Sequence, residues 1–178
     1  MSTINVYWGV DDIDRTGDSM WDSEFIGEAI LDKEFSVSAP ENQKYLLDLC
    51  AAMKTKWFIL DGSVVCWIEA FKTYLEKNNQ QFPVPQNEFD QKLIDWTKNN
   101  LVGKTFKSTK ALGFVNDKLV YMEFEGKSNV SLREPSDTKQ PFYDGWEDLI
   151  AEWKAKAPQG LKSIKQSGGF AWVWMPSE

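Results

Sequence analysis

Two cysteines, Cys50 and Cys66, are the side chains of this chain whose types and spacing could do chemistry. Each lies on an apolar stripe with the i, i+3, i+4, i+7 spacing of an amphipathic helix. The segment Trp57–Gly62 between the stripes is short enough to bring the two helices side by side. A disulfide there would indicate an oxidising compartment. Two free buried thiols in a cytosolic protein fit the same pattern, because cysteine is among the most buried residue types.

A calcium site is the second chemistry to consider. Asp12, Asp14 and Asp18 supply carboxylates as at the start of a calcium-binding loop, and Gly17 stands where such a loop turns. The position of the bidentate glutamate is Ser23, however, and a strand rather than a helix precedes the segment. Aspartate is also common in turns because it hydrogen-bonds its own backbone. We therefore predict no metal site and keep the three aspartates only as a weak alternative.

Catalysis has little support, because the chain contains no histidine. Its absence removes the commonest general base, the commonest metal ligand and every Ser-His or Cys-His arrangement. The sequence also lacks a glycine-rich phosphate loop and a G-x-S-x-G elbow. Nothing selects one pair among the 27 acidic residues as a catalytic dyad. We expect neither enzymatic activity nor a cofactor.

Composition narrows the class of protein further. The net charge of −7 disfavours nucleic acid as a partner, because a phosphate-binding surface needs clustered basic residues. A hydrophobic content of 42% and nine tryptophans, nearly all on predicted core stripes, indicate a packed interior. No apolar run approaches the roughly 18 residues that span a bilayer. We predict one domain over residues 1–178.

The elements that must position these residues follow from hydrophobic periodicity. The sequence predicts a strand, a long irregular segment, three helices, a strand hairpin, a polar loop, a helix and a last strand. The first strand is Ile4–Asp11, and the irregular segment is Asp12–Ala39. The three helices are the two cysteine stripes and the Phe89–Trp96 stripe. The hairpin is Leu112–Val115 with Lys118–Glu125, the polar loop is Gly126–Pro141, the next helix is Trp146–Trp153 and the last strand is Phe170–Met175. The order predicts an α+β fold of the ferredoxin-like split β-α-β type, β-α-β-β-α-β, with extra helices in the first crossover. Its four-stranded antiparallel sheet would have the first and last strands as neighbours.

Three stretches carry a family resemblance: Val6–Asp14, Cys66–Lys72 after an upstream Leu-Cys at Cys50, and Phe170–Met175. They resemble the extracytosolic loop domain of Patched- and Dispatched-related membrane proteins. Those proteins belong to the resistance-nodulation-division (RND) superfamily and carry a sterol-sensing transmembrane domain. The Cys-Trp-x-x-x-Phe-Lys run is the most specific part. The aromatic exit stretch is similar to the segment that enters the next span, which suggests the second of the family's two loops.

The resemblance implies a lumenal or extracellular domain of a multi-span transporter of lipid or lipid-modified cargo. The domain would shape the cargo passage or docking surface, with the sister loop domain and the membrane domain as partners. From their length and polarity, the segments Asp12–Ala39 and Lys127–Gln140 are the expected contact surfaces with the sister loop domain. The resemblance also implies the Cys50–Cys66 disulfide. In a lumenal protein the sequon at Asn129 becomes a glycan acceptor.

Two alternatives from other classes stay open. One is a secreted glycan-binding module, assisted by calcium, in which Trp21 and the aspartate-rich turn carry the function. The other is an acidic cytosolic adaptor with free thiols. Thiol alkylation without reduction separates the adaptor from the others. Apolar runs of roughly 20 residues on both flanks are required by the transporter account and excluded by the secreted module.

Overall fold

The computed structural model describes residues 2–16 and 27–167 of the chain. In chain order its elements are β1 (Thr3–Trp8), β2 (Val10–Asp14), β3 (Glu28–Leu31), α1 (Pro40–Met53), α2 (Trp67–Lys77), α3 (Gln86–Asn99), α4 (Leu101–Ser108), β4 (Leu112–Val115), β5 (Lys118–Lys127), α5 (Ser136–Ala155) and β6 (Lys165–Ser167). Five helices and an antiparallel four-stranded sheet within these ranges confirm the predicted α+β class. None of these helices has the length and apolarity that crossing a membrane requires.

The main sheet has the strand order β4-β5-β1-β6, and all of its pairings are antiparallel. The central strand β1 pairs with β5 from Thr3↔Lys127 to Trp8↔Met122. It pairs with β6 on its other side, over three positions that begin at Asn5↔Ser167. The predicted exit strand Phe170–Met175 lies outside the described residues. The ferredoxin-like name stays a prediction, because the chain adds a second sheet and further helices to that pattern.

One face of the sheet carries the core, since successive side chains of a strand point to opposite faces. The largest side chains with almost no exposure come from the strands, from α1 to α3 and from α5: Trp8, Trp67, Trp96, Trp146, Phe71, Phe89, Phe124, Ile4, Leu46, Leu49, Met53 and Ile68. The helical stripes predicted from the sequence are therefore the buried stripes of the structure. The alternate strand positions, among them Tyr7, Glu123 and Glu125, lie on the opposite face and are partly buried.

The first crossover begins with a hairpin that the sequence did not predict. Strand β1 ends at Trp8. The next residue, Gly9, has a φ of 91° that suits glycine, and a Cβ there would lie 2.0 Å from the Val120 carbonyl oxygen. The chain then forms β2, which pairs with β3 in a separate two-stranded sheet. The prediction of an irregular segment over Asp12–Ala39 is thus wrong in its strand portions. Nearly every residue of this ribbon is exposed, so burial left no alternating pattern to read.

The helix count predicted for the crossover was also too low. The structure has α4 after α3, where the sequence predicted three helices before the hairpin. Asn100 separates the two helices: its backbone is extended, and its side chain accepts hydrogen bonds from the Val102 and Gly103 amides. Gly103 allows close packing on α3, because a Cβ there would lie 2.5 Å from the Trp96 carbonyl oxygen. Asn100 is a strong N-cap residue and was the signal available in the sequence.

The polar loop after β5 is shorter than predicted. Strand β5 continues to Lys127, and helix α5 begins at Ser136 and contains Pro141. The predicted loop Gly126–Pro141 is therefore wrong at both ends. Proline usually ends a helix because it lacks an amide proton for the bond four residues back. In α5 the bond lost is the one to Asp137, which is exposed to water in the first turn. The predicted tight turn at Asn116–Asp117 is confirmed, with both residues at positive φ.

Candidate functional site

The cysteines form the covalent link that the resemblance implies. Cys50 and Cys66 are joined in a disulfide with a Cα–Cα distance of 6.2 Å, and both are buried. Cys50 lies in the last third of α1, as predicted, and Cys66 lies at the N-cap position of α2. At a sequence separation of 16, closing this loop stabilises the folded chain by about 3 kcal/mol on the chain-entropy account. The disulfide therefore fixes the start of α2 against the end of α1.

The loop closed by the disulfide continues the edge of the main sheet. Ile59 forms an isolated bridge with Ser128, and Val65 forms one with Glu125. The Val65 amide donates to the Glu125 carbonyl at 2.8 Å, and the Glu125 amide donates back to Val65 at 3.0 Å. Since Val65 directly precedes Cys66, the disulfide also holds this short edge segment beside β5. Val65 thereby forms one wall of a groove beside α4.

The groove has a volume of about 470 Å³ and lies between α4 and this edge of the sheet. We call it the α4 groove; it is lined by Val65, Leu101, Val102, Thr105, Phe106, Thr109, Ala111, Glu123 and Glu125. Three of its aliphatic side chains are unusually exposed: Leu101 by 80%, Val102 by 48% and Val65 by 45%. The volume falls within the range of about 300–1,000 Å³ that small-ligand clefts occupy. The groove is thus an apolar surface that the fold leaves in contact with water.

Two carboxylates supply the polar side of the α4 groove. Glu123 and Glu125 are two residues apart on β5, so both lie on one face at a Cα spacing of roughly 7 Å. The Tyr121 hydroxyl donates to Glu123 Oε2 at 2.7 Å. Burial, with the Glu123 carboxylate beside it, raises the pKa of Tyr121, so the phenol keeps its proton at neutral pH. None of the lining residues is basic, which leaves the groove negatively charged.

None of the groove residues is identified as a site by sequence patterns. A ligand groove needs no motif, and the exposure of Leu101 becomes evident only when α4 is placed in three dimensions. The one local signal is the Asn100 cap, which predicts that a helix starts at Leu101. If a helix starts there, Leu101 and Val102 lie in its first turn, and the sequence pattern gives these two aliphatic residues no buried partner.

The glycosylation candidate Asn129 is exposed just after β5, between the buried residues Ser128 and Val130. Its amide donates to the Phe58 carbonyl at 2.9 Å, which holds the loop against the start of the disulfide-closed segment. Trp57, the neighbour of Phe58, is 62% exposed, whereas the other tryptophans among the described residues are buried. Glycosylation of Asn129 stays a prediction.

Two of the three aspartates of the weak calcium alternative lie in the described part of the chain. Asp12 and Asp14 are exposed on β2. Asp12 Oδ1 accepts from the Ile13 amide and Asp14 Oδ1 from the Thr16 amide, each at 2.8 Å. The hydrogen bonds from Thr16 lower the pKa of Asp14. Asp18 and Trp21 lie outside the described residues, and within those residues no group of three or more His, Cys, Asp or Glu side chains could hold a metal ion.

The comparisons with known proteins agree with the resemblance at a coarse level. No protein-family model matches the chain. The chain is similar to protein dispatched homolog 1 of Mus musculus, with 23% identity over 178 aligned positions. The alignment covers 89% of this chain but 12% of that relative, so the chain spans a small part of the length of the protein it matches. This similarity supports a relation to Patched- and Dispatched-like proteins.

Proposed function

We propose that this chain is an extracytosolic loop domain of an RND-type, Patched- and Dispatched-like transporter of lipid or lipid-modified cargo. The observation that carries the proposal is the similarity to protein dispatched homolog 1 over 89% of the chain. The Cys50–Cys66 disulfide supports it independently, because structural disulfides persist in oxidising compartments and are rare in the cytosol. The domain is lumenal or extracellular and belongs to a larger membrane protein.

The sheet topology suits a domain inserted between two membrane spans. β1 and β6 are antiparallel neighbours, so the chain enters the sheet and leaves it at the same end. Both connections can then run to one membrane surface without crossing the domain. The partners in this arrangement are the membrane domain and the sister loop domain of the same protein. The membrane domain supplies the energy for transport.

The domain's own work is to shape the passage or docking surface for the cargo, without catalysis and without a cofactor. The α4 groove supports this role because it offers an apolar surface that nothing in the described fold covers. Large exposed apolar patches on soluble domains commonly mark interaction sites. A chain without histidine also lacks the side chain that most hydrolytic and metal-dependent mechanisms use.

Topology and thiol state of the parent protein test the proposal. The parent is produced from its full gene in mammalian cells. Sealed microsomes are treated with protease, and detergent-opened microsomes are treated with a maleimide. We expect the domain to be protected from protease and both cysteines to resist alkylation until a reductant is added. We also expect peptide N-glycosidase to increase its electrophoretic mobility, and the Asn129→Gln variant to lack that shift.

Other results would contradict the proposal in distinct ways. Two thiols that are alkylated without reduction would favour the cytosolic adaptor. A parent gene without apolar runs of about 20 residues on either side of this domain would favour the secreted module. A protected, oxidised domain without a glycan would refute only the assignment of Asn129, since not every sequon is used.

A further inference from the structure

We propose that the α4 groove binds a cationic amphiphile, an aliphatic chain that carries a positively charged head group. The inference deepens the proposed function and rests on it, because a transporter of lipid or lipid-modified cargo would bring such a molecule to the groove. The geometry that points to the ligand is the juxtaposition of exposed aliphatic side chains on α4 with two carboxylates on β5.

The aliphatic side of the groove is held open by the packing of α4. The Phe106 ring contacts the Trp96 ring with a centroid distance of 5.9 Å, and Gly103 lies directly against the Trp96 backbone. These contacts fix the rotation of the helix, so it cannot turn to bury its first residues. Leu101 and Val102 therefore stay in water, and an aliphatic chain along them would remove their surface from solvent.

The carboxylate side of the groove decides the charge of the ligand. Glu123 and Glu125 are partly buried beside the apolar wall, and within the described part of the chain neither belongs to an ion pair. Tyr121 donates one hydrogen bond to Glu123 and leaves the other carboxylate oxygens to further donors. A cation placed there is attracted by both carboxylates, and an anion is repelled by both.

Three probes with the same twelve-carbon chain separate the contribution of charge from that of apolar contact. They are dodecylamine, dodecanol and dodecanoate, each used below its aggregation concentration with the oxidised 178-residue chain at pH 7. Affinity is measured by calorimetry, and the binding site is mapped by amide chemical shifts in NMR spectra. We expect dodecylamine to bind about tenfold more tightly than dodecanol, with dodecanoate the weakest. We also expect the preference to decrease as salt is added, since partly exposed charges are screened.

Matched variants assign that preference to named residues. Glu123→Gln with Glu125→Gln should remove the advantage of dodecylamine and leave dodecanol binding unchanged. Glu28→Gln with Glu134→Gln changes the net charge equally at exposed positions outside the groove and should change nothing. Leu101→Ser should weaken all three probes about fivefold or more, whereas Leu132→Ser, at another exposed leucine, should not.

Several results would overturn the inference. These are equal affinities for the three probes, no binding at all, tighter binding of dodecanoate, or chemical-shift changes away from α4 and β5. Tighter binding of a lysine- and leucine-containing peptide than of dodecylamine would identify a polypeptide as the occupant instead. The probe series on the unaltered chain decides the question even if a variant fails to fold. A failed probe series leaves the membrane topology of the parent untouched, so the two proposals can fail separately.

Discussion

Helices α2 and α4 are both amphipathic, but they use their apolar residues in opposite ways. In α2, the side chains of Trp67, Ile68, Phe71 and Leu75 have no exposure at all. In α4 the one buried residue is Gly103, and Leu101 is almost fully exposed. The apolar face of α2 therefore stabilises the fold, whereas the first turn of α4 contributes little to folding. An apolar face that folding does not need is available for binding.

The largest expected effect is found by comparing the same substitution at one leucine of α2 and one leucine of α4. Leu75→Ala should lower the free energy of unfolding by about 2–5 kcal/mol, because it leaves a cavity in the core. Leu101→Ala should change it by no more than about 0.5 kcal/mol, since that side chain already lies in water. Urea unfolding followed by circular dichroism measures both. A loss above about 2 kcal/mol for Leu101→Ala would mean that α4 is part of the folding core.

The second prediction concerns the covalent anchor that α2 has and α4 lacks. Cys50→Ala with Cys66→Ala should lower the free energy of unfolding by about 3 kcal/mol, because the unfolded chain regains the entropy that the closed loop removes. A reductant should destabilise the unaltered chain by a similar amount and leave the double variant unaffected. If the reductant shifts the unfolding midpoint of both proteins equally, the disulfide is not the source of the difference.

The third prediction concerns the connection that leads from α2 into α3. The buried Gln43 side chain accepts from the Val84 amide and donates to the Val84 carbonyl, each at 2.8 Å. Gln43→Leu should lower the free energy of unfolding by about 2 kcal/mol or more, because it leaves two buried backbone groups without partners at about 1–3 kcal/mol each. Gln91→Leu, at an exposed glutamine of α3, is the matched control and should stay within about 0.5 kcal/mol. Equal, small losses for the two variants would show that water replaces the Gln43 amide.

The smallest of these effects is local to α4. Asn100→Ala should lower the free energy of unfolding by about 1 kcal/mol, because the amides of Val102 and Gly103 lose their cap. Asn100→Ser keeps a capping oxygen and should recover most of that loss. Amide hydrogen exchange should report faster exchange in α4 than in α2 for the alanine variant. Unchanged exchange in α4 would indicate that its contacts with α3 hold the helix without the cap.

The sequence was informative wherever burial leaves a periodic pattern. The stripe of Trp146, Leu149, Ile150 and Trp153 predicted α5, and all four residues are buried. The turn at Asn116–Asp117 was predictable for a different reason, since these residue types tolerate positive φ. In both cases the physical cause acts through residues that are close in sequence.

The features that the sequence did not reveal depend on contacts between distant residues or on exposure. The β2–β3 ribbon is exposed on both faces. Gly9, which precedes β2, lies against the Val120 carbonyl of β5, a residue more than a hundred positions later. The strand β6 is a polar stretch, Lys165–Ser167, that pairs with β1 across most of the chain length. The α4 groove combines Val65, which the disulfide positions, with Glu125 on a strand about sixty residues later. No local pattern encodes such a juxtaposition.

The pairing of β1 with β6 has a mechanical consequence. Tension applied through the two connecting segments would open the ladder like a zipper, one pair at a time from Asn5↔Ser167, since both strands depart from one end. The β6 ladder has three paired positions, against six between β1 and β5, so β6 would peel away first.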